Sequence, residues 1–265
     1  MKCYLLHKKI IFKDVPMKRK ILIFFFSQIL MNWLYAQGPP VFSDTPIFLG
    51  LDGRAVRTFG QWIKMEKSSV FLIPFGVPYN IRTNLLIGVV FPLVWKSNNE
   101  NGMGDVSISA KFLYYQKDGL KKTFRMAFKL EEKFPTGTIM GSKAYQTYLG
   151  LISGYISTKL GIYLDLGYRA ISKQLPDNFS YNLSIGIPLM EVKYPPRQVN
   201  LYWGVHGILT VAKLQQISYV SSAIQFIPDK RFLVEGGIKV PIKENPSVQE
   251  RRNIIISLGG RVLIF

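Results

Sequence analysis

Three features of the chain predict an all-β fold. Runs of about ten residues alternate apolar and polar side chains, turn signals separate the runs, and no apolar run of about 18 residues follows the N-terminal leader. Together they predict a transmembrane antiparallel β-barrel of about 12 strands with up-and-down topology. The segment TFRMAFKLEEKF (123–134) sets the pattern. Phe124, Met126, Phe128 and Leu130 share one face, and Arg125, Lys129, Glu131 and Lys133 share the other, because strand side chains point to opposite faces with period two. The greasy face then meets either lipid or, in a soluble sandwich, a second sheet.

The leader comes first. Met17-Lys18-Arg19-Lys20 precedes ILIFFFSQILMNWL, and Leu34-Tyr35-Ala36-Gln37 follows. A basic start, an apolar stretch too short for the ~30 Å core of a bilayer and a small residue at the cut read as a signal peptide ending at Ala36. Met17 is then a natural start, and a short membrane anchor is the alternative. Residues 1–36 are the leader, 37–55 an extension or plug, and 56–265 the barrel. The formal net charge is +18, and removing the leader leaves the chain strongly basic. The only cysteine, Cys3, goes with it, and His206 is the one remaining histidine. Disulfide frameworks and Cys/His metal sites are thereby excluded, and no cofactor is implied. Export, with basic residues scattered along the chain, argues against a nucleic-acid partner.

The strands follow in order at 56–66, 68–78, 83–96, 105–116, 122–134, 146–157, 161–173, 178–190, 197–209, 213–226, 231–243 and 251–265. The first alternates poorly. Others are clear: Ile162, Leu164, Leu166 and Tyr168 oppose Tyr163, Asp165, Gly167 and Arg169, and Val199, Leu201, Trp203 and Val205 oppose Asn200, Tyr202, Gly204 and His206. Lys117-Asp118-Gly119, Thr158–Gly161 and Pro228-Asp229-Lys230 read as short turns; SNNENGMG (97–104), FPTGTIMGSKAY (134–145) and ENPSVQER (244–251) read as long loops. EVKYPPRQ (191–198) is long for a periplasmic turn. An even strand count puts both ends on the periplasmic side. Pro92, Pro188 and Pro241 cannot donate to a ladder and so mark strand ends or bulges. Tyr114, Tyr168 and Trp203 are expected near strand ends as an interfacial girdle. The opposite faces mix Gly, Ser and Asn with isolated charges, as a crowded lumen does. The terminal Phe265 resembles the signal by which the barrel-assembly machinery takes up outer-membrane barrels, although Arg261 shares its parity.

Two segments, LIPFGVPYNIRTNLLIGVVFPLVWK (72–96) and GMGDVSISAKFLYYQKDGLKKTFRMAFKLEEKFPTGT (102–138), carry a family resemblance, as does Gly38-Pro39-Pro40. The chain resembles the outer-membrane family named for the meta-pathway of phenol degradation over about residues 38–138, and beyond that shares its strand rhythm. The resemblance implies a barrel in the bacterial outer membrane, in contact with its lipid, for passive uptake or binding of small hydrophobic or aromatic compounds. It brings no catalytic residues.

Parity places Lys111, Tyr115, Arg125, Lys129, Glu131, Tyr163, Asp165, Arg169, Tyr202, His206, Glu235 and Lys239 in the lumen. Ionised groups there must pair or face water. They form either a salt-bridged ladder that sets register or a wet, net-cationic, narrow anion-preferring pore. A barrel of about 12 strands is wide enough to enclose a ligand or a narrow channel. Tyr115, Tyr163 and Tyr202 offer aromatic surface to a small hydrophobic solute. Gly102, Gly104 and Asp105, and Pro135 and Gly137, stand at the barrel mouth as a register-setting turn or a latch. His206 is the one candidate base; pairing with Ser180 or Ser184 would suggest a lipid hydrolase, but it points inward and no motif supports catalysis. A structural or adhesive barrel working through its loops is the remaining alternative.

Overall fold

The computed structural model describes residues 39–265 apart from 66–67, 98–99, 139–140, 191–196, 212–214, 245–251 and 265. The leader, its cut, Phe265 and most of EVKYPPRQ and ENPSVQER lie outside the described residues. The strands are β1 (Arg54–Met65), β2 (Ser69–Arg82), β3 (Leu85–Lys96), β4 (Asn101–Met103), β5 (Ser107–Gly119), β6 (Lys122–Lys133), β7 (Gln146–Ser157), β8 (Gly161–Ile171), β9 (Asn178–Pro188), β10 (Gln198–Thr210), β11 (Gln215–Ile227), β12 (Phe232–Glu244) and β13 (Arg252–Ile264).

The strands pair antiparallel in sequence order, with β5 pairing to β3 past the short β4; β13 returns to β1, and β3 joins β2, so the sheet closes. Twelve long strands form the wall, and the three-residue β4 pairs with the end of β3. Closure removes the edges that an open sheet exposes. At about 3.3 Å per residue and a tilt near 40°, such strands span roughly 28–35 Å, enough for an apolar band ~25 Å tall. Arg54 pairs with Ile264, so the described start and end of the wall share one rim, here the terminal rim. Short connections at 83–84, 120–121 and 158–160 lie on that rim; 97–106 and 134–145 lie on the opposite, loop rim.

The outer face is apolar. Ile162, Leu164 and Tyr168 are exposed on β8, while Tyr163 and Asp165 between them are buried. Trp62, Phe71 and Trp95 stand side by side on three neighbouring strands near the loop rim. Tyr114 stacks on Phe128 with ring centroids 4.4 Å apart, and Tyr168 donates to Asp177. Trp203, expected at an end, instead sits mid-strand opposite Ser222 and Ile185.

The prolines fall where the ladder does not need their missing N–H. Pro92 sits where β3 leaves β5 for β4, and its carbonyl accepts from the Gly104 N–H at 2.8 Å. Pro188 ends β9, and Pro241 pairs across a register shift in β11. Two details depart from expectation. Pairing of Asp118 with Thr123 and of Gly119 with Lys122 carries β5 through the expected Lys117–Gly119 turn, which moves to Leu120-Lys121, with Lys121 at φ 58°. A bulge between Leu113 and Tyr115 also inverts the parity of the end of β5.

Leu166, midway along the outer face of β8, tests this surface. Leu166→Arg is expected to lower the stability of the barrel refolded into vesicles by about 2–4 kcal/mol in urea titrations, as a cation at bilayer mid-depth does.

Candidate functional site

The lumen is built around the chain's own N-terminal segment. Pro39 accepts at its carbonyl from Gln225 Nε2 at 2.8 Å, and the Leu49 N–H reaches Asn80 Oδ1 at 3.4 Å. Gln225 and Asn80 both lie near the terminal rim. Between those anchors the segment rises to mid-strand partners. Phe42 packs edge-on to His206 with centroids 6.1 Å apart, under Lys239 Nζ at 4.9 Å. Ser43 Oγ shares a 2.8 Å hydrogen bond with Ser184 Oγ. Residues 39–49 therefore enter from the terminal rim, turn near mid-height and return. The turn lies between two cavities. One of about 200 Å³ on the terminal side is lined by Ser43, Asp44, Thr45, Lys111, Lys129 and Arg261. The other, about 380 Å³ on the loop side, is lined by Phe42, Gln61, Leu72, Asp105, Lys133 and Lys239.

Three polar networks surround this segment. In the first, Asp44 accepts from Lys111 Nζ at 2.6 Å and pairs with Lys129 Nζ at 3.2 Å. Lys129 also pairs with Glu131 at 3.0 Å, and Glu131 with Arg169 at 3.0 Å. Tyr148 lays its ring over Gly150 and Gly167 and donates its hydroxyl to Asp165 at 2.9 Å. In the second, Arg57 donates to Glu235 at 2.6 Å, and Gln225 links Glu235, Asn200 and the Pro39 carbonyl. In the third, His206 contacts Asn182 Oδ1 through Nδ1 at 2.9 Å and Ser221 Oγ through Nε2 at 2.7 Å. Buried ions are tolerated when paired and hydrogen-bonded, and these networks meet that condition.

An apolar cluster completes the lumen. Val41, Phe42 and Ile47 of the segment pack with Ile156 against buried Tyr163, Tyr202 and Ala223.

The structure brings Lys111, Lys129, Glu131, Asp165 and Arg169 together, and Tyr202, His206, Glu235 and Lys239 line the same interior. Arg125 stands apart, half-buried, its Nε on Thr123 Oγ1 at 3.2 Å. Tyr115 is a correction. The bulge pairs it with Met126, and its exposed ring meets Phe124 on the outer face. His206 pairs with Ser221, not with Ser180 or Ser184, because the register sets Asn182 opposite it on β9, with Ser184 opposite Gly204 and held by Ser43. The Ser221–His206–Asn182 chain has the spacing of a nucleophile, a base and an orienting group, but Phe42 packs against the histidine ring and the backbone around Ser221 pairs with β10 and β12. Its evident role is to satisfy buried polar atoms. Among the described residues no group of His, Cys, Asp and Glu is placed to hold a metal ion.

At the loop rim, Asp105 is buried and accepts from the Gly137 N–H at 2.9 Å and from the Ser142 N–H and Oγ, both at 2.7 Å. A Cβ on Gly137 would come within 2.9 Å of Asp105, which is why glycine stands there. Gly102 pairs with Val94, and half-buried Pro135 opens the loop that Asp105 holds. Reasoning from parity alone missed Asp44, Arg57, Tyr148, Asn182, Ser221 and Gln225. The one signal available was an acid within an otherwise apolar, proline-flanked stretch, VFSDTPIF.

No protein-family model and no curated protein matches the chain. Solved structures do. A COG4313 outer membrane channel from Pseudomonas putida F1 aligns at TM-score 0.61 and 11% identity, over 85% of this chain and 100% of that one. The KdgM porin, solved in complex with disordered oligogalacturonate, aligns at TM-score 0.45 and 12% identity over 79% and 98% of the two chains. The CymD monoaromatic hydrocarbon channel aligns at 0.42 and 8% identity over 81% and 89%. The chain therefore has the fold of an outer-membrane channel barrel, a closed antiparallel barrel of twelve strands.

Burial disfavours the charge of Asp105, but the Ser142 and Gly137 donors with Lys133 outweigh it and hold the carboxyl below its ordinary range. A lowered folded-state pKa stabilises the loop above the ordinary value of about 4, and the contribution is lost as pH falls through the folded value. Protection factors for hydrogen exchange at the Gly137 and Ser142 amides should accordingly stay high from neutrality down to about pH 4 and fall only below it. Asp105→Ala should abolish that protection at every pH.

Proposed function

We propose that the chain is a bacterial outer-membrane barrel for passive passage of small hydrophobic or aromatic compounds, with residues 39–49 as the displaceable part of its barrier. The observation that carries this reading is the apolar cluster inside the lumen. A water-filled pore has a polar lining. Here Tyr163, Tyr202 and Ala223 of the wall are covered by Val41, Phe42 and Ile47 of the segment. When the segment withdraws, the wall offers an aromatic patch to an apolar solute, which would gain about 25 cal/mol per Å² of apolar surface buried. The resemblance to the phenol meta-pathway family supports the same solute class.

A narrow anion-preferring pore is the second reading, favoured by the lumen cations Lys111, Lys129, Arg169, Lys239 and Arg261. The two differ in what crosses. In proteoliposomes, wild-type protein should speed uptake of a neutral aromatic such as benzamide at least severalfold over empty vesicles, with little steady ion current across planar bilayers. Deleting residues 37–49 should raise that current about tenfold or more, since the segment between the two cavities is then gone. Equal benzamide uptake with and without protein would refute the passage reading; a steady anion-selective current through the intact chain would favour the pore.

A further inference from the structure

We infer that the Lys111–Lys129 pair is a binding site for the carboxylate of a small aromatic acid, and that Asp44 occupies it as the chain's own stand-in for that carboxylate. The inference rests on the reading of residues 39–49 as displaceable and names the solute class for that barrier.

The first argument is the pairing of like charges. Lys111 and Lys129 are direct cross-strand partners on β5 and β6, both pointing inward. Like charges directly opposite destabilise a sheet unless an anion bridges them. The bridge is Asp44, with one carboxylate oxygen on each ammonium at 2.6 and 3.2 Å. Glu131 serves Lys129 and is shared with Arg169, so it does not replace that bridge.

The second argument is where the partners of Lys111 come from. Its ammonium donates to Asp44 Oδ1 at 2.6 Å and to the Thr45 carbonyl at 2.8 Å, and both belong to the N-terminal segment. The Lys111 side chain is nine-tenths buried. Withdrawal of the segment strips both acceptors from this cation, so an incoming anion that restores a charge-assisted bond lowers the cost of opening. An uncharged solute restores no such bond.

The third argument is shape. The cavity of about 200 Å³ beside the pair is walled by Ala55, Pro78, Leu86 and Val89 as well as by the two lysines. An apolar cavity of about 150 Å³ is enough for a benzene ring. The segment supplies only the carboxylate at this pair, from Asp44; its Phe42 ring lines the other cavity, against His206 and Lys239. A small aromatic carboxylate would set its carboxylate on the two lysines, where Asp44 now sits, and its ring against these apolar walls.

Benzoate and its neutral isostere benzamide test this by isothermal titration of the folded barrel in detergent, with folding checked by heat-modifiable gel mobility. Wild-type protein should bind benzoate at least tenfold more tightly than benzamide. Asp44→Asn removes the internal competitor, so benzoate affinity should rise about tenfold while benzamide affinity stays unchanged. Adding Lys111→Met to that variant should erase the preference. Equal affinities in wild-type protein, or no gain for benzoate in a folded Asp44→Asn barrel, would overturn the inference, and the wild-type comparison decides it even if the variant does not fold. Benzamide uptake into proteoliposomes separates the two ideas. Uptake without a carboxylate preference sinks the lysine site and leaves passage standing; benzoate preference without uptake sinks passage and leaves the site.

Discussion

Backbone hydrogen bonding without water governs this molecule. An N–H or C=O left unpaired against hydrocarbon costs several kcal/mol, so a strand protein can cross a bilayer only as a closed barrel. The return of β13 to β1 and the joining of β2 to β3 meet that requirement. Closure then dictates the side chains. Each strand must turn one face to lipid and one to an enclosed interior, hence the alternation of Ile162, Leu164 and Leu166 with Tyr163, Asp165 and Gly167. Local irregularities are placed where the ladder can spare a bond. Pro92 stands where β3 changes partner, and Pro241 stands at a register shift.

The same enclosure makes the interior demanding. Inward charges need partners, and the wall alone does not supply all of them. Glu131 joins Lys129 to Arg169 within the wall, but Lys111 is completed by Asp44 and Thr45, and Gln225 by the Pro39 carbonyl. The segment 39–49 thus completes the core, bringing apolar side chains to Tyr163 and Tyr202 and a carboxylate to two lysines.

Some of the interior was legible and some was not, for identifiable reasons. Parity along β6, β8, β10 and β12 put Lys129, Glu131, Tyr163, Asp165, Arg169, Tyr202, His206, Glu235 and Lys239 inside, because a half-buried strand repeats every two residues without exception until a bulge interrupts it. Tyr115 was lost to such a bulge, which needs a mismatch between two strands and leaves no mark on one. The Ser221 partner of His206 was invisible for a related reason. Cross-strand neighbours depend on register, and Ser180, Ser184 and Ser221 are equivalent by parity. Tyr148 was readable as an inward residue, but its cover over Gly150 and Gly167 required knowing that β7 and β8 place those glycines opposite each other.

By itself the sequence determined the period-two alternation, the turns and the lack of a later helical span, and therefore a barrel with a polar inner and an apolar outer face. These follow from local steric rules and from the partition of side chains between lipid and an enclosed space. Only the tertiary structure decided what fills that space. Asp44 lies far along the chain from Lys111 and has no periodic pattern to announce its direction, so its place between two lysines exists only once the wall has closed and the N-terminal segment has entered it.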